Sequence, residues 1–368
     1  MNAIGLYYLS NYKVEKEDIN KLGADPQIVD LHINIWKVEK GKIFLDPEIY
    51  IDFGIMSSFK VEKLCLYLPF GIETIIDLGK SLNNKKKELC AIFNDELLPE
   101  PQKNGCYCKI HYIESPDTED FFLYELGEAN IKTEFQKDNK KETTYVTIDL
   151  KGNPEDKDDN DSYKSQKRYI RFRVKVKKRQ EISITSHISN DLLQAAFSMS
   201  DYYDIRVNEK REIPDKVKED MLSKNFRICK FTKVHLFYMA DSREGIENES
   251  SLKCDSRLLE SCQWRNYEPK TKIYNPIFIA HHWKKRIKEE DKKPISSFSV
   301  FFNTIYPKLS VFRLISYVAV VVLLGCCGSM LSDSDIRFWI IIILIGFVLI
   351  YLAYTKIFIK CPKIYRKR

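Results

Sequence analysis

The sequence lacks the motifs that mark the common hydrolase, nucleotide-binding and zinc-binding families. It has no CxxC pair, no HExxH and no GxSxG, and Gly79-Lys80-Ser81 follows Thr74 instead of the glycine of a P-loop. Its ten cysteines are scattered, and the one-residue spacing of Cys106 and Cys108 suits zinc poorly. We therefore expect no metal site, no cofactor and no catalytic residues, so the chain is predicted not to be an enzyme.

Glycine and proline are also scarce, and the opening residues do not resemble a secretion signal. The chain has 13 glycines and 13 prolines among 368 residues, and 44% of its residues are hydrophobic. This composition is that of a folded protein and excludes a disordered one. The opening residues, MNAIGLYYLSNYKVEKED, have neither the basic start nor the apolar core of a signal peptide. Unpaired, scattered cysteines fit a reducing compartment.

The net charge of +7 is concentrated near one end of the chain. Residues 301–368 carry nine cations and two anions, whereas residues 1–300 carry 50 of each. Nucleic-acid-binding domains are usually basic overall. The balanced charge of the first 300 residues therefore disfavours that class.

Two uncharged apolar segments, Leu314–Leu331 and Phe338–Tyr354, follow this neutral region. Each approaches the roughly 20 residues that cross about 30 Å of hydrocarbon, and the short linker Ser332–Arg337 predicts an antiparallel transmembrane hairpin. Lysine and arginine flank both segments but are scarce in the linker. This distribution predicts a multi-pass protein of the inner cell membrane with both termini in the cytoplasm.

The segment before the hairpin, Ile295–Tyr306, spaces its apolar residues as a helix does. We predict an amphipathic helix in the lipid interface. The basic stretch His281–Lys293 either contacts anionic headgroups or is a solvated helix. The predicted membrane-interface residues are Phe298, Phe301, Phe302, Ile305 and Trp339.

Alternation of apolar and polar residues predicts many half-buried strands before residue 280. Fewer helices are expected, at Lys85–Leu98, Asn190–Met199 and Pro214–Ser223. The predicted fold class is α+β: a β-rich cytoplasmic region with mainly antiparallel sheet, followed by the hairpin of two transmembrane α-helices. The predicted strands include Leu31–Trp36, Ile43–Phe53, Val61–Leu68, Cys106–Ile113, Thr144–Leu150, Arg168–Lys177, Glu181–Thr185 and Lys233–Met239.

The polar segment Asn153–Lys167 suggests a boundary near residue 155. The two regions that it separates form either two lobes or one domain. The predicted organisation is a β-rich lobe at 1–155, an α+β lobe at 156–280, a basic and amphipathic juxtamembrane segment at 281–308, the hairpin at 309–358 and a basic cytoplasmic tail at 359–368.

The segment Arg168–Arg179, RYIRFRVKVKKR, carries the clearest site signal. As a strand it places apolar residues on one face and a row of cations on the other. Such a row can bind phosphates, nucleotides or lipid headgroups. The alternative is a solvated strand, or a charged edge strand that prevents aggregation. The candidate residues for an anionic ligand are Arg171, Arg173, Lys175 and Lys177.

A region with this stripe, followed by Leu314–Leu331 and Phe338–Tyr354, resembles in layout the prokaryotic anti-phage membrane effectors. These are partnered with short Argonautes or with cyclic-oligonucleotide signalling systems. The resemblance covers layout and no motif, so it assigns no binding residue. It implies a sensor-effector that oligomerises with its own copies and disrupts the lipid bilayer after activation by a protein partner, an anionic ligand, or a nucleotide or nucleic-acid trigger.

Two other functions fit the same sequence. The chain is alternatively a membrane-tethered adaptor that positions a partner and has no activity of its own. The second alternative is a membrane-tethered enzyme of unrecognised class, since active sites are recognised by geometry as well as by motifs.

Overall fold

A computed structural model describes most of the chain before residue 307. The described residues fall into two compact units, Met1–Ile188 with Ser198–Pro307, and Ser189–Phe197 with Lys308–Arg368. In the second unit, residues 317–322 and 324–325 are described, and they are helical. The described residues are 3–10, 28–38, 46–101, 107–115, 118–138, 141–150, 167–187, 198–260, 264, 266–269, 277–287, 293–307, 317–322 and 324–325.

The first unit contains a central ten-stranded sheet. With strands numbered along the chain, its order is β17-β18-β15-β2-β3-β11-β8-β7-β6, and β5 also pairs with β11. Its pairings are antiparallel except β2 with β15 and β8 with β11. The strand bounds are β2 Ile28–Val38, β3 Glu48–Ser58, β5 Ile72–Asp77, β6 Leu97–Pro101, β7 Tyr107–Tyr112, β8 Phe121–Tyr124, β11 Lys167–Val176, β15 Lys233–Asp241, β17 Cys254–Leu258 and β18 Phe278–Arg286.

Two smaller antiparallel sheets and three helices complete the described part of this unit. The five-stranded sheet has the order β14-β1-β4-β10-β9, and the four-stranded sheet has the order β12-β13-β19-β16. The remaining bounds are β1 Gly5–Ser10, β4 Val61–Leu68, β9 Ile131–Asp138, β10 Lys141–Asp149, β12 Ser183–His187, β13 Ser198–Val207, β14 Arg227–Ile228, β16 Gly245–Asn248, β19 Phe298–Pro307, α1 Gly79–Asn83, α2 Lys86–Phe93 and α3 Asp215–Ser223.

Alternation along the central strands gives the large sheet two buried faces. On the first face, Ile33, Phe53 and Phe172 belong to one apolar core with residues of both smaller sheets, such as Leu66 and Val300. On the second face, residues of the sheet pack with α2 and with the Trp264–Tyr267 region in a separate core. We call this second face the helix-covered face. It holds both apolar and charged side chains. Because this face is buried, its charged side chains need partners.

A buried ion network connects the large sheet to the four-stranded sheet. Lys37 Nζ on β2 donates to Asp201 Oδ2 at 3.2 Å and to Glu244 Oε1 at 2.9 Å. Arg179 donates to the other oxygen of Asp201 at 2.7 Å, and Tyr238 donates to Glu244 at 2.9 Å. Two cations thus balance two carboxylates inside the protein, which offsets the cost of removing them from water.

The predicted fold class is wrong in two respects. The predicted β-rich, mainly antiparallel sheet is present, but strands dominate the described residues and the named α-helices are three short ones, so the α+β class is wrong. No helix among the described residues is long and apolar enough to cross a membrane, which contradicts the predicted hairpin. The helical residues 317–322 and 324–325 extend over about 13 Å at the α-helical rise. The second predicted segment, Phe338–Tyr354, lies outside the described residues.

The predicted amphipathic helix Ile295–Tyr306 is also wrong, because these residues contain β19. Helical and strand periods coincide at a spacing of four, so Phe298 and Phe302 fit both patterns. In the structure both are buried in the core, whereas Phe301 points to the opposite side and is 41% exposed. Ile305 is half-buried on β19, and Trp339 lies outside the described residues.

The large sheet contains strands from both sides of the boundary predicted near residue 155. β3 pairs with β11, and β2 pairs with β15, so residues of both predicted lobes share one sheet and one core. The stretch His281–Lys293, predicted as a juxtamembrane segment, contributes β18 to the same sheet. The helix predicted at Asn190–Met199 lies mostly outside the described residues, and its last two residues begin β13.

Replacing Lys37 by methionine is expected to lower the free energy of unfolding by about 3–5 kcal/mol, because it leaves two buried carboxylates with one cation. Urea denaturation measures the change. Lys218→Met is the matched control, since Lys218 pairs with Asp215 at 2.8 Å on the surface and its loss should cost less than about 1 kcal/mol. Equal effects of the two variants would show that the buried network does not stabilise the fold.

Candidate functional site

A cavity of about 580 Å³ opens on the helix-covered face of the large sheet. Its floor is formed by strands β2, β11, β15 and β18. Its walls come from the end of α2 with residues 94 and 95, from β17, and from Trp264. The volume is within the usual range of small-molecule sites. The floor residues used below are His32, Asn34, Arg171, Lys233, His235, Phe237, His282, Lys284 and Arg286.

Three histidines form a row across neighbouring strands on this floor. His32 pairs in register with His235, and the centres of their rings lie 4.9 Å apart. His235 Nδ1 lies 3.1 Å from His282 Nε2, so one of these nitrogens donates a hydrogen bond to the other. Phe237 continues the row, because its ring stacks on His282 with centres 4.1 Å apart and planes 4° from parallel.

Burial holds these histidines in the neutral form. It lowers the pKa of His235 to about 3, and the neighbouring His282, Lys233 and Arg286 add to this effect. Burial likewise lowers the pKa of His282, although Asp255 opposes the shift, and it lowers the pKa of His32 strongly. The row is therefore an uncharged aromatic surface at neutral pH.

A buried cluster of two arginines and one carboxylate lies next to the histidines. Arg173 binds both oxygens of Asp52 through a two-pronged contact, with Nη2 to Oδ2 at 2.9 Å. Trp36 and Tyr267 also donate to Asp52. Burial opposes ionisation of Asp52, but Arg173 outweighs it and holds the pKa of this carboxyl below its usual value.

Arg171 is fully buried and lines the cavity. Its guanidinium contacts neutral groups closely, the hydroxyls of Tyr169 at 2.6 Å and of Tyr267, and lies 3.9 Å from Asp52. The Asn34 amide oxygen is assigned toward Arg171 Nη2, at 2.6 Å, because this orientation satisfies both amide atoms. The single carboxylate of Asp52 thus lies near two guanidinium groups. Its one negative charge leaves one buried positive charge in excess beside the cavity.

Further cations stand around the opening of the cavity. Arg257, Lys284 and Arg286 line it, and none of the three forms an ion pair within the described part of the chain. Of the three acids that line it, Asp30 lies 3.7 Å from Lys233, Asp255 pairs with Lys253 at 2.7 Å, and Asp95 pairs with no cation among the described residues. Five cations of the lining thus exceed three acids, and the potential of the cavity favours an anion.

Two buried polar atoms of residues in the cavity lining have no hydrogen-bond partner within the described part of the chain. One is the indole N–H of Trp264, a residue that is 4% exposed. The other is Asp95 Oδ1, whereas Asp95 Oδ2 accepts from Ser115 at 3.0 Å. Both atoms are closed off from the open space, so they offer no direct contact to a ligand in the cavity.

The arrangement does not suit a metal ion. No group of three or more histidine, cysteine or acidic side chains among the described residues can hold one. The neighbouring cations Lys233 and Arg286 would also repel it. The close nitrogens of His235 and His282 are therefore best explained as a hydrogen bond.

Gly54 makes room for the arginine cluster. A Cβ at this position would lie 2.7 Å from Arg171 Nη1 and would overlap the hydroxyl of Tyr169. A glycine inside a buried strand often marks such a close approach. The Tyr169 hydroxyl, together with the Arg171 guanidinium, therefore takes the space that a side chain at position 54 would occupy.

The four predicted anion-binding residues do not share one environment. Arg171 lines the cavity, and Arg173 lies behind it, paired with Asp52. Lys175 pairs with Glu48 and Glu73, and Lys177 pairs with Glu142. The structure thus brings only Arg171 of this group to the cavity.

Sequence reasoning missed the histidines and the cations of β15 and β18. Read as a strand, residues 278–286 alternate so that His282, Lys284 and Arg286 share a face. That period-2 pattern was the available signal, although it could not show which strand lies alongside.

No protein-family model and no curated protein matches this chain. The interpretation of the cavity therefore rests on its own geometry and charge.

Gly54→Ala is expected to destabilise the protein by about 1–3 kcal/mol, because the added methyl group overpacks the arginine cluster. Thermal or urea unfolding measures the loss. Gly127→Ala is the control, since its Cβ would meet its nearest neighbour at 3.8 Å and its backbone has φ −64°. Wild-type stability of Gly54→Ala would mean that the cluster is not closely packed there.

Stability should fall as the pH drops from 7 to 5. The unfolded chain binds a proton at His235 near pH 6.5, whereas the folded protein does so only near pH 3. Between these values the free energy of unfolding decreases by up to about 1.4 kcal/mol per pH unit for this histidine. His235→Gln should therefore show a shallower pH dependence of its urea midpoint than the wild type.

Phe237→Leu is the control for this measurement, because it alters the same row without removing a titrating group. It should keep the wild-type slope between pH 7 and 5. An equally steep slope in His235→Gln would contradict the assignment of a neutral, buried imidazole at position 235.

Proposed function

We propose that the chain is a ligand-binding protein whose cavity takes a small anionic molecule. The observation that supports this most directly is the charge imbalance of the cavity. It has a buried excess positive charge at Arg171 and three cations, Arg257, Lys284 and Arg286, that form no ion pair with the residues that the structure describes. An anion in the cavity would compensate charges that the described protein groups leave uncompensated.

The histidines favour binding over catalysis by proton transfer. A general acid or base works best with a pKa near the working pH. Burial lowers the pKa of His235 to about 3, so at neutral pH this ring is a neutral imidazole that is a weak base and has no imidazolium proton to give. The enzyme alternative gains no support from this row.

The proposal keeps the sensing half of the function predicted from the sequence. Ligand binding would then be the input that a partner or a further copy of the chain reads. A role in prokaryotic anti-phage defence and the formation of homo-oligomers stay predictions. Disruption of a membrane is not part of the proposal, because it depended on the hairpin.

Inorganic pyrophosphate is a suitable probe of the anion site, with binding followed by isothermal titration calorimetry at low salt. The full chain should bind it, and the affinity should fall as the ionic strength rises. Lys284→Glu should weaken binding at least ten-fold, because it replaces an unpaired cation of the cavity with an anion.

Lys210→Glu makes the same change of charge in a short 3-10 helix, Lys210–Glu212, outside the cavity lining. In a matched titration at about 0.15 M salt, where surface charges are largely screened, it should retain binding within about two-fold. Equal losses in both variants would indicate a nonspecific effect of net charge. Absence of binding to the wild-type chain would overturn the proposal for pyrophosphate-like anions.

A further inference from the structure

The cavity offers more than positive charge, and its other features restrict the class of anion. Part of its floor is a row of aromatic side chains. Phe237 and His282 stack nearly parallel, and His235 follows with its ring centre 5.1 Å from that of His282 and its plane at 18°. All three rings are half-buried and line the cavity, so part of their surface is accessible to a ligand.

A stacked, uncharged row is suited to a planar ring. Aromatic side chains bind planar ligands by stacking, and this contact tolerates different rings because each has a π-face. An inorganic phosphate or a sugar phosphate would pair with the cations but would leave the row uncovered. The aromatic surface therefore favours a ligand with a ring of its own.

The position of the cations relative to the row matches such a ligand. On β15 and β18, Phe237 stands opposite His282, and the next pair on the same face is His235 with Lys284. The pair after that is Lys233 with Arg286. Two residues along a strand cover about 6.8 Å. The distance from the stacked rings to the charged groups is therefore about the length of one or two short chemical groups, such as a sugar.

From these observations we propose that the ligand is a nucleoside phosphate. Its base stacks on the Phe237–His282 pair. Its phosphate lies toward Lys284 and Arg286. This inference rests on the proposed function, because it specifies the ligand of the same anion site.

The test compares whole ligands with their parts. The full chain is titrated with AMP, GMP, CMP and UMP, with ribose 5-phosphate, which lacks the base, and with adenosine, which lacks the phosphate. At least one nucleotide should bind ten-fold or more tightly than ribose 5-phosphate. AMP should also bind more tightly than adenosine if adenine is the preferred base.

Variants then assign the two halves of the ligand. Phe237→Leu should reduce the ratio of nucleotide affinity to ribose 5-phosphate affinity by at least five-fold. Lys284→Glu should weaken nucleotides and ribose 5-phosphate together. Urea denaturation of each variant separates a loss of binding from a loss of folding, and Phe237→Tyr, which restores an aromatic ring, should recover the ratio.

The outcomes distinguish this inference from the function on which it rests. If no nucleotide binds more tightly than ribose 5-phosphate, while Lys284→Glu weakens both, the anion site stands and the nucleoside inference is overturned. If the phosphates do not bind at all, or if adenosine equals AMP and Lys284→Glu changes neither, the anion site itself is wrong.

Discussion

The pairing of one carboxylate with two arginines determines the chemistry of the helix-covered face. Asp52 is held by Arg173 at close range and by hydrogen bonds from Trp36 and Tyr267. Because the sheet is buried on this face, every charge there must be compensated or must border an open space. The hydrogen bonds of Arg171 go to neutral groups, so Asp52 compensates its charge only in part. This partly compensated guanidinium lines the cavity.

The cavity therefore combines two surfaces with different properties. Burial and nearby cations keep the histidine row neutral, so it acts as an aromatic floor. The cations at the opening, which form no ion pair with the described residues, and the buried guanidinium beside the floor attract an anion. Neither surface alone would specify a ligand, since exposed cations are common and stacked aromatic residues usually belong to the core. Their adjacency on paired strands supports the proposal of an anion that also carries a ring.

Local pattern predicted many of the elements. The strand predicted at Val61–Leu68 has the bounds of β4, the prediction at Lys233–Met239 lies within β15, and the helix predicted at Pro214–Ser223 matches α3 apart from its first residue. The prediction was wrong at Ile295–Tyr306, where the spacing of apolar residues fits both a helix and a strand. There the packing of alternate residues Phe298, Val300 and Phe302 into the core selects the strand.

The sequence by itself determined which residues of β11 share a face, because the period of a strand is two and Arg171 and Arg173 are two residues apart. Only the tertiary structure decided what those arginines meet. Asp52 lies opposite Arg173 in register, although more than 100 residues separate them, and His235 lies beside His32 in a parallel pairing across an even longer stretch of chain. Such pairings depend on the packing of whole strands into a common core, and no local spacing of residues encodes them.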